Sequence, residues 1–227
     1  VITGRCVDSA VTLGVLVHEF GWQAHEYDKL AQGTLAGHLV ECGAQCTGGL
    51  FTDWETVPGW DRIGFPIVEA EADGSFVITK VEGSGGLVST ATVAEQMLYE
   101  IADPRAYLMP DVTCDFTAVR FEQAGKDRVR VSGAKGRAPT DSYKVSATYL
   151  DGLRNMAFLT IAGEQAAAKA RRTGEALLQR MARMLAEAGL PPFSETRIEV
   201  IGAEHMFGAH AQPTSREVVL KGPSGER

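Results

Sequence analysis

The stretch Asp28–Gly49, DKLAQGTLAGHLVECGAQCTGG, decides how the first part of the chain is read. Leu30, Thr34, Leu35, His38, Leu39 and Cys42 fall at helical spacing on one broad face, and Gly48-Gly49 follow as a stop. The spacing predicts a helix from about Asp28 to Cys46. On it Glu41 and Gln45 would be neighbours at i and i+4 beside a glycine-rich turn, which suits the wall of a site.

Upstream, Asp8-Ser9-Ala10 can cap a helix to about Glu19, with Val11, Val15 and Leu16 at helical spacing and Gly21 at its end. Val1-Ile2-Thr3 resembles the close of a buried strand. Downstream, Phe51 to Gly64 reads as irregular, and Pro66 to Lys80 alternates about Asp73-Gly74 as a hairpin. Thr92 and Glu95 suggest a capping box for a helix with the stripe Ala94, Leu98 and Ile101, stopped by Asp103-Pro104. Four strand-like runs follow: Ala118–Gln123, Arg128–Ser132, Tyr143–Leu150 and Asn155–Ile161. Then come a long helix, Glu164–Ala188, whose stripe runs from Ala166 and Ala170 to Met181, Met184 and Leu185, and strands at Ile198–Ile201 and Arg216–Lys221.

The expected class is α+β with an α/β beginning: a mixed sheet including an antiparallel meander, packed by several helices. One domain over 1–227 is expected, with sub-regions 1–110 and 111–227. The first strand lacks its start and the last lacks a following partner, so the chain also reads as a fragment, or split subunit, of a larger domain.

The 22 Lys and Arg stand against 29 Asp and Glu, a net charge of −7 with no local run of cations, which argues against nucleic-acid and anionic-membrane partners. No apolar run reaches the roughly 18 residues of a membrane span and no signal peptide opens the chain, so a cytoplasmic protein is expected. Its four cysteines do not make a disulfide framework.

His38, Cys42 and Cys46 raise the question of a metal or a thiol catalyst. On a helix His38 and Cys46 lie about 12 Å apart along the axis, and no second ligand pair completes a tetrahedral set, so no metal is expected. Cys46 at a helix C-terminus faces the negative end of the dipole, which disfavours a thiolate. Both thiols read as small buried apolar groups.

Seven motifs carry a family resemblance: Ile2–Ala10 (ITGRCVDSA), Glu19–Trp22 (EFGW), Ala36–Gly49 (AGHLVECGAQCTGG), Gly64–Ile67 (GFPI), Thr79–Gly86 (TKVEGSGG), Ser132–Thr140 (SGAKGRAPT) and Lys144–Ser146 (KVS). In this order, over nearly the whole chain, they resemble the acyclic terpene utilisation (AtuA-like) family. The resemblance covers only the later part of the large family domain, without its preceding α/β half or the ferredoxin-like domain that follows in many members. It implies breakdown of acyclic terpenoids such as citronellol and geraniol through acyl-CoA intermediates, a pathway rather than a mechanism. The family pattern does not require cysteine at 46 and is relaxed at Cys6. Its polar members here are Arg5, Asp8, His38, Glu41, Gln45, Lys80, Lys135, Arg137 and Thr140.

Each has two readings. Arg5 and Asp8 sit between strand and helix, where open α/β sheets place ligands; they hold an anion and supply a base, or merely bridge each other or cap the helix. Lys80 before Gly83-Ser-Gly-Gly86 faces a phosphate, or the glycines form a plain turn. Lys135, Arg137 and Thr140 in a flexible loop grip a coenzyme A ester, or are solvated. His205 at a strand end is an acid–base group, or a packed surface histidine. The expectation is an enzyme with Asp8, Glu41 and His38 in catalysis and Arg5, Gln45, Lys80, Lys135, Arg137 and Thr140 holding substrate, all within one cleft. No tightly bound cofactor is expected, and an acyl-CoA ester is the substrate. The alternative is a non-catalytic scaffold subunit. A homo-oligomer is expected, or a partner chain that supplies the missing N-terminal part.

Overall fold

The computed structural model describes residues 6–226, those beyond Gly222 by backbone alone. The strand expected at Val1-Ile2-Thr3 lies outside them. The chain divides into two compact units after Val145 rather than after 110.

The first unit is built around α2 (Tyr27–Val40), in which every residue from Leu30 to Leu39 is buried. A helix apolar all round belongs in a core. It touches α1 (Ala10–Phe20), α3 (Thr90–Leu98) and strands β1 (Pro66–Ala70), β4 (Thr113–Asp115) and β7 (Lys135–Arg137). Gly33 and Gly37, one turn apart, let α1 approach: a Cβ on Gly37 would stand 2.6 Å from the Ser9 carbonyl oxygen, and one on Gly33 2.8 Å from Leu13. The side of α1 that meets these glycines carries Leu13 and Leu16, so Val11 and Val15, expected in the buried stripe, face solvent. The buried amide of Gln32 ties α2 to the strands, donating to the Val131 carbonyl (3.1 Å) and accepting from the Ala134 N–H (2.9 Å).

The hairpin of β1 and β2 (Phe76–Lys80) forms as expected, and extends through β6 (Arg128–Ser132) to β5 (Arg120–Gly125), giving the order β1-β2-β6-β5. These pairings carry the chain past residue 110 without a break into the first unit. A second sheet, β3 (Tyr107–Leu108), β4 and β7, uses Lys135–Arg137 as a strand where a flexible loop was expected. The capping box of α3 is Ser89 with Thr92, three residues before the expected pair. Its buried residues are Thr92, Val93 and Gln96, and Leu98 is exposed.

α2 stops at Val40, short of the expected Cys46, because Gly43 takes the left-handed conformation (φ 57°) and a 3-10 turn, Gly43–Gln45, follows. Glu41 and Gln45 therefore do not share one helical face.

The second unit holds β8 (Arg154–Asn155), β9 (Phe158–Ala162), α4 (Ala166–Glu187), β10 (Thr196–Ile201) and β11 (Glu217–Glu226). β11, the last strand, is central, pairing with the earlier strands β10 on one side and β8 and β9 on the other. Ala166, Ala170 and Gly174 of α4 pack on this sheet, while Met184 at the far end of the predicted stripe is exposed. Tyr143–Leu150 is not a strand, so the expected meander ends at the β5–β6 hairpin; its alternation is real, yet Tyr143, Val145, Tyr149 and Leu150 all face solvent.

Helices and antiparallel sheets make the fold α+β, and among the described residues the parallel contact is an isolated bridge from Ile63 to Gly85. No helix among the described residues is long and apolar enough to cross a membrane.

Gly37→Ala is expected to lower stability by about 1–3 kcal/mol, since its methyl meets Ser9 backbone. Gly14→Ala, with nothing within 4 Å of the added carbon, should be neutral or gain up to about 1 kcal/mol. Urea midpoints of the two variants check both.

Candidate functional site

Three helix ends meet beside Gly37. Ser9 packs on that glycine, which brings Asp8, just ahead of α1, next to Glu41, the residue that caps α2. Glu100, two residues past the end of α3 and itself in the left-handed conformation (φ 59°), closes the group. One carboxylate oxygen from each of Asp8, Glu41 and Glu100 lies within 4.8 Å of the others. Asp8 and Glu100 are exposed; the Glu41 side chain is only 16% exposed.

Glu41 is the best-held of the three. Its Oε1 accepts from the Cys42 thiol at 3.1 Å and lies 3.9 Å from Nδ1 of His38, one helical turn earlier. His38 is buried, and its Nε2 has no hydrogen-bond partner. Its ring lies 6.1 Å from that of Tyr107, which in turn stands 5.7 Å from Phe116. Gln96 of α3 donates to the His38 carbonyl at 3.0 Å, stitching the two helices together, while its own buried Oε1 is unpartnered.

The local field is negative. Burial raises the Tyr107 phenol first, and the nearby Cys114, Asp8, Glu41 and Glu100 raise it further. The neighbouring Glu100 charge is the largest cause of the raised Tyr99 phenol. The α2 C-terminus adds its own partial negative charge. Such a place suits proton transfer or a cation, not a phosphate. Beside it a pocket of about 390 Å³ is lined by Gln45, Leu50, Phe51, Thr92, Glu95, Gln96, Leu98 and Tyr99.

The structure thus brings together Asp8, His38 and Glu41, with Gln45 in the adjoining pocket wall. The expected cations are engaged elsewhere. Lys80, nearly buried, donates to the Ser84 carbonyl (2.9 Å) and pairs with Asp127 (3.3 Å), which also accepts the Val88 N–H; lysine and aspartate staple the glycine turn. Lys135 bonds to Asp28 (2.8 Å), whose other oxygen takes the Gly136 N–H; the lysine's hydrogen bond is the main cause of the lowered Asp28 pKa. Asp28 begins α2 and Glu41 ends it, about 20 Å apart along the axis, so Lys135 is outside the cleft. Arg137 donates to the Arg105 carbonyl and exposed Thr140 to that of Ser142. His205 opens a 3-10 turn after β10 in the second unit. Arg5 lies outside the described residues. Gln96, Tyr99, Glu100 and Tyr107 had no motif to announce them and enter the site only through packing.

All four cysteines are free. Burial pushes the thiol pKa of Cys42 up to about 11, and of Cys46 and Cys114 up to about 12, so all three are neutral and weakly nucleophilic at pH 7. The unfolded chain releases these protons near pH 9, before the folded chain does. The thiols' contribution to stability should therefore be flat below about pH 9 and fall above it, by up to about 1.4 kcal/mol per pH unit for each buried thiol. Urea midpoints against pH check this, with a shallower alkaline slope expected for Cys46→Ala.

No curated protein and no solved structure matches the chain. The family model described as "Acyclic terpene utilisation family protein AtuA" matches residues 1–222, including the Gly37–Glu41 segment and the strands and helices around it. This chain belongs to the AtuA family of acyclic terpene utilisation proteins.

Proposed function

We propose that the protein is an acid–base enzyme of acyclic terpenoid breakdown, working in the cytoplasm on a branched acyl-CoA ester. Glu41 takes or returns the proton, His38 steadies its carboxylate, and the pocket faced by Leu50, Phe51, Leu98 and Tyr99 receives the apolar chain. The observation that carries this reading is the little-exposed Glu41 carboxylate, which accepts from the Cys42 thiol and lies 3.9 Å from His38 Nδ1, with Asp8 and Glu100 beside it. Membership of a terpene utilisation family supports the substrate class. Because Lys80 and Lys135 are bound up in structural contacts, the acyl end rather than the phosphates directs recognition.

A second reading, an assembly subunit acting as a homo-oligomer or with a partner chain, draws on the exposed Tyr149 and Leu150 of the second unit.

Acyl-CoA esters made from citronellol and geraniol, incubated with the protein in D₂O, test the enzyme reading. Deuterium is expected to enter the acyl chain, and Glu41→Gln should keep binding while losing about 10²-fold or more of the exchange. Absence of binding and exchange with every ester, or full exchange by the variant, would sink it.

A further inference from the structure

The carboxylates of Asp8, Glu41 and Glu100 come from chain positions too far apart for any motif to have joined them. Three such groups within 4.8 Å repel one another unless something positive stands among them. The ion pairs of the described residues give these three no lysine or arginine, and Arg105 is taken by Asp103. A second observation points the same way. His38 is 3% exposed, its Nε2 has no partner, and its Nδ1 is turned toward Glu41 Oε1 at 3.9 Å, too far for a hydrogen bond. A buried imidazole left without hydrogen bonds behind a carboxylate is the arrangement by which an outer group orients a ligand once an ion draws that ligand into place.

We propose that Asp8, Glu41 and Glu100 bind a hard divalent cation of the Mg²⁺, Mn²⁺ or Ca²⁺ class, with His38 as the positioning residue behind Glu41. Oxygen donors select hard cations, and the oxygens around one ion lie from about 3 Å apart in neighbouring positions to about 4–5 Å apart in opposite ones. The three carboxylates already satisfy that spacing. Asp8 and Glu100, being exposed, have rotamer freedom to close on the ion, and water fills the open positions. The absence of a metal expected from the spacing of His38, Cys42 and Cys46 concerned a thiolate site; this one uses oxygen ligands supplied by the ends of three helices. A carboxylate that ligates through one oxygen keeps the other for a proton, so the cation site is compatible with the acid–base role of Glu41 and does not depend on it.

Mn²⁺ alone, with no acyl ester present, is the probe. Titration of the full chain followed by electron paramagnetic resonance should show one saturable site, with Mg²⁺ and Ca²⁺ as competitors. Asp8→Asn and Glu100→Gln should each weaken it about 10-fold or more. The pair Glu71→Gln and Glu122→Gln, exposed acids outside the cluster, should leave it unchanged. Equal melting temperatures of the metal-free variants confirm that folding is intact. No saturable binding at about 10⁻³ M Mn²⁺, or equal weakening in the Glu71/Glu122 control, overturns the proposal. Deuterium exchange without Mn²⁺ binding would reject the cation and keep the enzyme; binding without exchange would do the reverse.

Discussion

The first unit depends on a helix with no solvent face. Because α2 is buried from Leu30 to Leu39, each neighbour must be fitted to it, and the fit is closest where Gly33 and Gly37 remove side chains. That contact fixes the depth at which α1 lies, and with it the position of Asp8 relative to Glu41. The site is a by-product of helix packing: one glycine sets the separation of two carboxylates.

Polar groups inside this core follow the same logic. Gln32 satisfies a strand carbonyl and a strand N–H at once, so a buried amide acts as a spacer between α2 and the turn from β6 to β7. Gln96 does so halfway, with its N–H used on His38 and its oxygen left bare. His38 itself is incomplete at Nε2. Unsatisfied atoms gather at the end of α2 where the carboxylates meet, whereas the Lys80–Asp127 staple and the Lys135–Asp28 pair are closed. Closed polar pairs lie away from the acidic end, and open polar atoms lie close to it.

Local pattern revealed much of this. The hairpin about Asp73-Gly74, the β6 strand and the long α4 helix are written in residues close together in the chain, and they form where expected. The helix from Asp28 was legible too, but not its end, because Gly43 had to be weighed against the glycine pair at 48–49 and both breaks are chemically credible. Tyr143–Leu150 failed for another reason: alternation shows what a strand would bury, not whether an edge is there to receive it. Asp8, His38 and Glu41, which the structure brings together, lie in motifs. Glu100 does not, since its place follows from the tertiary docking of α3, and a cation beside glycines, as at Lys80 and Lys135, reads alike in sequence whether it faces a phosphate or pairs with an acid of its own chain.

The stitch from Gln96 to the His38 carbonyl carries a dynamic meaning. α3 is short and amphipathic: it buries Thr92, Val93 and Gln96 and leaves Leu98 and Tyr99 in water. Lifting it would part Glu100 from Asp8 and Glu41 and open the wall that Gln96, Leu98 and Tyr99 give to the pocket. The Gln96 hydrogen bond, the Ser89–Thr92 capping box and the buried Val93 thus hold the acidic group and the pocket wall together, so one short helix governs the geometry of both.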